Sequence, residues 1–357
     1  MPDTYFITLR PLAPAYFGGE HGPVEEDYFL KTRLFPQQTA VLGMLRYELL
    51  KRNAGLKYAA GQGFTIDDPG LASELIGASS FSGDAEQTFG KIQRLSPVFL
   101  HYDNTAWFLI KDPAGFAPVT TPGRACTGPE EESISLRYLP GYNAKKDHLS
   151  EIFASAGGDR LQVHKGDTDS LSDPWAFHLS VKIGITKQYK QQPKDEGFFK
   201  MERLHLHPRA AYACYACLDA GHGLPQTGSG RVYLGGNRTP FQMKFEQTSD
   251  FFPEGADFAL PGVAVLLSDA YAEGKPGDAA TLAATDSIIF RNQKTETGQP
   301  HSFHQKPVGD HAHTPRLLLA RGGLFFAPKP KTLHNWLDHP AYARIGYNAY
   351  ALPQPQN

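Results

Sequence analysis

The sequence predicts an α+β fold of two domains, each with the element order β-α-β-β-α-β and with long loop insertions. In each half of the chain a strand is followed by a helix, two strands, a second helix and a last strand, although the halves share no close sequence repeat. The 357 residues, of which 41% are hydrophobic, suffice for two cores. We therefore expect two ferredoxin-like (RRM-like) domains, over residues 1–222 and 223–357.

Apolar periodicity assigns the elements of both halves. Strands are predicted over 4–12, 92–103, 105–112, 175–185, 198–206, 210–221, 262–270, 286–292, 316–327 and 346–352. Helices are predicted over 31–52, 144–156, 276–285 and 331–345.

The charge of the chain is nearly balanced but unevenly distributed. The net charge is -2, which excludes a polycation that coats nucleic acid indiscriminately. Three segments are locally basic, with balances of +4 over 31–52, +3 over 182–203 and +4 over 301–334. They form either one basic face or three unrelated solvated faces. No charged-then-apolar leader and no apolar run of about 18 residues occurs, so we expect no membrane contact and a cytoplasmic location.

The start of the 31–52 helix lacks the residues that usually complete a helix. Pro36 suits the first helical position, but Phe35 before it has no side-chain oxygen for a cap, and no Asp or Glu follows. The neutral side chains of Gln37, Gln38 and Thr39 stand where an acid would complement the helix dipole. Such a start either binds an anion or is hydrated by water. In the first case Gln38→Glu weakens anion binding and barely affects the fold.

A dozen polar residues separate the predicted strands 175–185 and 198–206, which is far more than a tight hairpin needs. Lys187, Lys190 and Lys194 of this loop suit phosphates, and Tyr189 offers a ring for base stacking. The alternative is a mobile surface loop.

Three glycine-containing segments permit close backbone approach to a ligand, and each is equally well interpreted as a turn. They are Gly18 and Gly19, then Gly235 and Gly236 with Arg238, and finally Gly346 with Tyr347 and Asn348.

Cysteines and acids argue against metal chemistry. Cys214 and Cys217 lie three apart on a predicted strand and so face opposite sides, which favours reduced packing cysteines over a zinc or redox site. Asp159 follows two glycines, as in nucleotide-cyclising palm motifs, but Arg160 replaces the second carboxylate that a metal would need. We interpret this segment as a turn and expect no metal and no cofactor.

Six blocks of the sequence, in the same order, resemble the RAMP proteins of CRISPR effector complexes. They are "PLAPAYFGGE", "FPQQTAVLGMLR", "VKIGITKQYKQQPKDEGFFKMERLHL", "VYLGGNRTPFQMKF", "LLLARGGLFF" and "ARIGYNAY". The resemblance is strongest to the handle-capping RAMP group of the type III-B Cmr complex. The first block departs from the family, because "FGGEHG" stands where an Arg-Asp-Gly-Arg-like stretch usually follows.

The resemblance implies a non-catalytic subunit that caps the 5′ repeat-derived handle of CRISPR RNA (crRNA). It also implies partners, the large palm-domain subunit and the backbone RAMP subunits, and it makes the 184–199 loop a thumb-like hairpin. The expected RNA-binding residues are Gly18, Gly19, Lys31, Arg33, Gln37, Gln38, Thr39, Arg46, Lys182, Gly184, Thr186, Lys187, Tyr189, Lys190, Lys194, Phe198, Gly235, Gly236, Arg238, Gly346, Tyr347 and Asn348.

Two enzyme hypotheses stay open beside this interpretation. His205 and His207 share one strand face, and four further histidines occur within 301–313, so the histidines together would suit a zinc-dependent hydrolase. The other hypothesis is a RAMP-superfamily crRNA-processing endoribonuclease with a His, Tyr or Lys as general base. The 31–52 helix contains no histidine, which argues against the second hypothesis.

Overall fold

The computed structural model describes most of the chain. The described residues are 2–18, 29–59, 63–78, 81–83, 87–111, 116–121, 133–138, 151–155, 159–164, 175–185, 198–235, 238–252, 263–290, 316–326 and 330–352. Within these ranges no helix has the length and apolar character needed to cross a membrane.

Strands outnumber helices in the described chain. The helices are α1 (Gln38–Asn53), α2 (Pro69–Ile76), α3 (Pro330–Leu337) and α4 (Pro340–Ala343). The strands are β1 (Asp3–Pro11), β2 (Phe29–Leu30), β3 (Lys57–Ala59), β4 (Gly63–Thr65), β5 (Ile92–Leu95), β6 (Phe99–Tyr102), β7 (Thr105–Lys111), β8 (Phe116–Thr121), β9 (Ser133–Tyr138), β10 (Glu151–Ser155), β11 (Arg160–His164), β12 (Trp175–Ile185), β13 (Phe198–Leu206), β14 (Ala210–Leu218), β15 (Thr227–Leu234), β16 (Thr239–Thr248), β17 (Val263–Leu266), β18 (Leu282–Ala284), β19 (Ser287–Phe290), β20 (Arg316–Leu319), β21 (Leu324–Phe326) and β22 (Tyr350–Ala351). The predicted α+β class is confirmed.

One large sheet dominates the described fold. Its strand order is β15-β16-β1-β14-β6-β7-β10-β11-β12-β13-β2, and β5 also pairs with β14. Strand β1, the third from the β15 edge, pairs antiparallel with β14 on one side and with β16 on the other. Because β15 and β16 follow residue 222 in the chain, this sheet runs across the boundary proposed between residues 222 and 223.

A smaller sheet follows, with the order β18-β21-β17-β22 and only antiparallel pairs. This is the strand order of a ferredoxin-like sheet. The helix predicted over 276–285 is, however, reduced to one 3-10 turn at Pro276–Asp278, and β18 occupies the end of that segment. The prediction of two complete ferredoxin-like domains is therefore not confirmed.

The prediction of a second helix in the N-terminal half is wrong for the residues that the structure describes. Residues 151–155 of the predicted helix 144–156 form β10, which pairs with β7 and β11, while the other residues of that helix lie outside the described ranges. Phe153 is completely buried there, because β10 lies between two strands of the large sheet. Non-local pairing has overridden the local helical pattern.

Helix boundaries differ from the predictions at several places. Helix α1 begins at Gln38, two residues after Pro36, and Gln37 is its uncapped N-cap. Helix α2 was not predicted, although Asp68 caps it and Pro69 starts it in the usual way. The helix predicted over 331–345 is divided into α3 and α4, because a helix seldom continues through the residue before a proline such as Pro340.

Each face of the large sheet is covered over part of its area. Leu45 and Leu49 of α1 share a core cluster with Leu9 of β1 and Phe241 of β16. On the opposite face, Phe99 and its neighbours pack against the smaller sheet. Helix α1 therefore covers one face of the sheet at β1, β16 and β15, and β15 is the edge strand beside it.

Candidate nucleic-acid interface

The start of α1 is bound by the chain's own C-terminal segment. Gln38 is 0% exposed, and its side-chain amide donates hydrogen bonds to the carbonyl oxygens of Gly346 (2.7 Å) and Ser96 (3.1 Å). The amide hydrogens are thus used inside the protein. The expectation that this side chain faces a phosphate does not fit this placement.

The segment Gly346–Asn348 is also interior. Gly346 has a φ of +88°, and a Cβ there would collide with the Gln38 amide. Tyr347 is 1% exposed and its hydroxyl pKa is raised by burial. Asn348 bonds the backbone of Tyr271 through both side-chain atoms. The close backbone approach is therefore to the protein itself, in agreement with the alternative interpretation of this segment as a turn.

A groove of about 630 Å³ opens between α1 and the end of the β15–β16 hairpin. It is lined by Ala40, Gly43, Met44, Tyr47, Tyr233, Leu234, Gly235 and Arg238. Tyr233 is 52% exposed, and Arg238 is exposed as well. The groove therefore combines aromatic rings, an arginine and open backbone, the combination that binds single-stranded nucleic acid in other proteins.

Gly43 is the least expected lining residue. It lies in the middle of α1 and is exposed, and a Cβ placed there meets nothing within 4 Å. A mid-helix glycine costs about 0.5–1 kcal/mol relative to alanine, and no packing contact of the described fold requires it. An isolated glycine in a helical pattern is a signal that the sequence analysis left unused.

The predicted glycines Gly18 and Gly235 both have a positive φ, but they differ in whether a neighbouring group excludes a side chain. Gly235 has a φ of +81°, and a Cβ there would collide with the Tyr16 carbonyl, so the turn itself requires glycine. Gly18 has a φ of +73° and open space around it. The Arg238 backbone N–H donates to the Gly235 carbonyl at 3.1 Å, which closes the turn at the groove. Gly19 and Gly236 lie outside the described residues.

Lys31 and Arg33 lie at a different place from the groove. Both line a cleft of about 340 Å³ that also contains Glu151 and the buried Arg321. The Arg33 guanidinium donates to the Ile289 carbonyl at 3.4 Å, and Lys31 is exposed. Lys31 and Arg33 are therefore separate from the groove, whose described lining includes no basic residue of 31–52.

Three further predicted residues lie on or beside α1. The Arg46 guanidinium lies 5.2 Å from the centre of the Phe89 ring, and burial lowers its pKa to about 10. Gln37 and Thr39 are half-buried at the helix start. Arg46 therefore packs on the protein, which differs from a fully exposed phosphate contact.

The predicted hairpin is present as strands β12 and β13, paired from Phe177 with Leu206 to Ile185 with Phe198. Lys182 is exposed on its stem and Gly184 is half-exposed. Val181 and Ile183 are 55% and 66% exposed, an unusual placement for branched apolar side chains. Thr186, Lys187, Tyr189, Lys190 and Lys194 lie outside the described residues.

The histidines of strands β12 and β13 interact with each other and with a neighbouring serine. The Ser180 hydroxyl is 2.8 Å from His205 Nε2, and the ring of His178 lies 5.6 Å from that of His205. Burial and the adjacent His178 and Arg203 lower the pKa of His205. The described ranges hold no group of three or more His, Cys, Asp or Glu suited to a metal ion, and His301–His313 lies outside them.

The two described cysteines and Asp159 occupy strands and turns. Cys214 is buried and Cys217 is half-buried on β14, and both thiols are free. Burial raises the pKa of Cys214 to about 12. Asp159 follows β10 and precedes its antiparallel partner β11, and its N–H donates to Ser155 Oγ at 3.1 Å. These placements agree with packing cysteines, while Gly157 and Gly158 of the predicted turn lie outside the described residues.

Comparison with known proteins identifies the family of this chain. Chains in two solved structures share its fold, one from type III-B Cmr-beta bound to cognate target RNA and AMPPnP, the other from type III-B Cmr-beta bound to cognate target RNA. The first has a TM-score of 0.51 and 12% identity over 98% of this chain and 99% of that chain. The second has a TM-score of 0.51 and 12% identity over 97% of this chain and 96% of that chain. No curated protein sequence matches significantly.

At this identity the two structures show the fold alone. A model of the family described as CRISPR-associated protein (Cas_Cmr3) matches residues 9–275. Since this match covers most of the 357 residues, the chain belongs to the Cas_Cmr3 family of CRISPR-associated proteins.

Proposed function

We propose that this protein is a non-catalytic RNA-binding subunit of a type III-B Cmr effector complex and caps the 5′ repeat-derived handle of crRNA. Family membership and the fold shared with chains from RNA-bound Cmr-beta structures support this role. The proposal names RNA as the ligand of the groove between α1 and the β15–β16 hairpin.

The observation that carries the proposal is the exposed Gly43 in the wall of this groove. A helix position without a Cβ lets a ligand backbone lie directly against the helix. Arg238 then faces the phosphates, while Tyr47 and Tyr233 offer rings for base stacking. Among the lining residues that the structure describes none is acidic, so a polyanion meets no repulsion from them.

The hairpin β12–β13 is proposed as the thumb of the subunit. It stands near one end of the large sheet, with exposed Val181 and Ile183 on its stem. The basic residues Lys187, Lys190 and Lys194 lie between its two strands in sequence. Exposed apolar side chains on such a hairpin suit contact with unstacked bases.

By the family resemblance, the subunit bridges the large palm-domain subunit and the backbone RAMP subunits, and acts in the cytoplasm in antiviral defence. The domain division at 222/223 stays a prediction from the sequence, and the large sheet crosses it because β15 and β16 belong to that sheet.

The endoribonuclease hypothesis rests on one described arrangement. His178 and His205 are direct cross-strand partners, and Ser180 bonds His205. Two adjacent imidazoles resemble an acid–base pair for attack by a 2′-hydroxyl. Incubating repeat RNA with the protein tests this, since a discrete product lost in His205→Ala would favour cleavage over capping.

The test of the capping function begins with the RNA itself. The complex is purified after co-expression with a CRISPR array, and the 5′ ends of the bound RNA are sequenced. A uniform repeat-derived 5′ end supports the handle, whereas random ends overturn it. A synthetic RNA with that sequence then serves as the probe for groove variants.

Gly43→Ala and Gly43→Gln provide a graded test of the groove. Both residues favour a helix more than glycine does, so the fold should gain about 0.5–1 kcal/mol while RNA affinity falls. We expect the larger side chain to weaken binding at least about tenfold, equivalent to about 1.4 kcal/mol. Gly70 of α2 is exposed and lines no part of the groove, which makes Gly70→Ala and Gly70→Gln matched controls. Unchanged RNA affinity in both Gly43 variants would show that RNA does not bind in the groove.

A further inference from the structure

The β15–β16–β1 region of the large sheet carries three cations that the function described so far does not use. Arg10 of β1, Arg231 of β15 and Lys244 of β16 are all exposed. Within the described residues, none of the three takes part in an ion pair. Their charges are therefore directed to solvent or to a ligand.

The strand register brings the three cations onto one face. Gln242 is the direct partner of Arg231 on one side and of Arg10 on the other. Direct partners share a face, and so do residues two apart on a strand, which adds Lys244 to the same surface. Neighbouring strands are about 4.8 Å apart and alternate residues about 6.8 Å apart, so the three cations lie within one compact patch.

The rest of this face is polar and aromatic. A depression of about 340 Å³ beside Lys244 is lined in part by Phe6 and Thr8. Glu246 is the acid of this depression, and it lies opposite Phe6, two residues beyond Lys244. Cations, a partly exposed ring and hydrogen-bonding groups together match the requirements of single-stranded RNA.

Tyr233 connects this face to the groove at α1. It lines the groove, and it lies two residues from Arg231 on β15, hence on the same face. A strand of RNA that leaves the groove past Tyr233 therefore reaches Arg231 first. The basic patch lies beyond it, across β16 to Arg10.

We propose that the face formed by Arg10, Arg231, Gln242 and Lys244 binds the phosphate backbone of single-stranded RNA that continues from the groove. This proposal rests on the proposed function, since it extends the same RNA path. RNA is favoured over a protein partner because charged residues are depleted at the core of a protein interface, whereas three cations on one face without an ion pair bind a polyanion well. The face adds length to the binding site and carries no base specificity, because phosphate contacts position the strand without reading sequence.

The test compares oligouridylates of about 8 and about 20 nucleotides, the first near the size of a single site and the second long enough to span two. The full-length protein with Arg10→Gln, Arg231→Gln and Lys244→Gln is titrated with each at several salt concentrations. We expect the long RNA to lose affinity and its plot of log affinity against log salt to flatten by about 2, from three charges at about 0.7 each. The short RNA, held in the groove, should bind as before.

The controls separate this inference from the groove itself. Lys331→Gln removes an exposed cation of α3 and should leave both titrations unchanged. If the triple variant keeps wild-type affinity and slope for the long RNA while Gly43→Gln weakens both lengths, the face is not on the RNA path and the groove stands. If Gly43→Gln binds like wild type and the triple variant does not, the groove function fails and the face stands. Unchanged RNA binding together with a lost partner subunit in the complex would identify the face as a protein contact and overturn the inference.

Discussion

The Gln38 side chain at the first residue of α1 donates a 2.7 Å hydrogen bond to the Gly346 carbonyl, 308 residues away in the chain. This bond and the one to Ser96 attach the C-terminal segment to the helix start. The polar side chain at the helix start thus finds its hydrogen-bond partners within the protein. A change at Gln38 should therefore affect the fold before it affects RNA.

Gln38→Ala should lower the free energy of unfolding by about 1–3 kcal/mol, because two buried carbonyls lose a donor. Gln38→Glu should be worse near neutral pH, since a carboxylate would face two carbonyl oxygens. Burial raises the pKa of such a carboxyl, so the variant should recover stability below about pH 4.3 and lose it as pH rises. Urea unfolding at several pH values measures this.

Gln37→Glu is the matched control for these variants. Gln37 is half-buried and is the N-cap of α1 without a side-chain cap bond. An acid there complements the helix dipole, so stability should stay equal or rise slightly. A Gln38→Glu protein as stable as wild type at neutral pH would contradict the interior placement and restore the exposed anion site expected from sequence.

The buried Arg321 should be more critical still. Its guanidinium lies 4.1 Å from the centre of the Phe35 ring, donates to the Val98 carbonyl at 3.0 Å and lies 3.6 Å from Asp269. Arg321→Met removes one partner of a buried pair and should cost about 3–5 kcal/mol. Combining it with Asp269→Asn should cost less than the sum of the two single changes. Arg231→Met, on an exposed arginine, should change stability by less than about 0.5 kcal/mol.

The two described cysteines should differ in reactivity. Cys214 is 0% exposed and its pKa is raised to about 12, whereas Cys217 is half-buried. In a Cys126→Ser background, a thiol reagent should modify Cys217 slowly in the native protein and Cys214 only on unfolding. Because the Cys214 thiol ionises first in the unfolded state, from an ordinary value of 9.0, its contribution to stability should fall as pH rises above 9. Rapid native modification of both thiols would contradict the packed strand.

Elements with strong local patterns could be predicted from the sequence. The body of α1, strand β1 and the β12–β13 hairpin follow their apolar periodicities closely. The opposite faces of Cys214 and Cys217 follow from the two-residue period of β14. These properties depend on neighbours in sequence.

Properties that depend on distant partners could not be predicted in this way. Residues 151–155 form a strand because β7 and β11 lie on either side, and no local pattern encodes that pairing. Gln38 is buried by Gly346, which is far away in the chain. The groove was missed for the same reason, since it joins Gly43 of α1 to Tyr233 of β15. Gly235 and Arg238 of its lining are predicted from the sequence, whereas the signal of the exposed mid-helix glycine was not used.

The loop between β12 and β13 gives a prediction that concerns charge alone. Lys187, Lys190 and Lys194 lie outside the described residues, and their role is inferred from sequence. Changing all three to Gln should flatten the salt dependence of RNA affinity by about 2, that is, three times about 0.7. Tyr189→Ala should instead cost about 1–3 kcal/mol with the slope unchanged. A wild-type salt slope in the triple variant would indicate that the loop does not contact RNA and instead contacts an acidic surface of a neighbouring subunit.

Substitutions of the two exposed side chains Tyr233 and Arg238 should likewise be distinguished by their effects on RNA affinity and on its salt dependence. Tyr233→Ala removes a ring that is 52% exposed, and loss of one stacked base costs about 1–3 kcal/mol without changing the number of released counterions. Arg238→Gln removes a charge, so the salt slope should fall by about 0.7. Tyr233→Phe keeps the ring and serves as the control, with affinity close to wild type. If Tyr233→Phe loses as much affinity as Tyr233→Ala, the hydroxyl and not the ring contacts the RNA, and the groove then holds the strand by hydrogen bonds to its backbone.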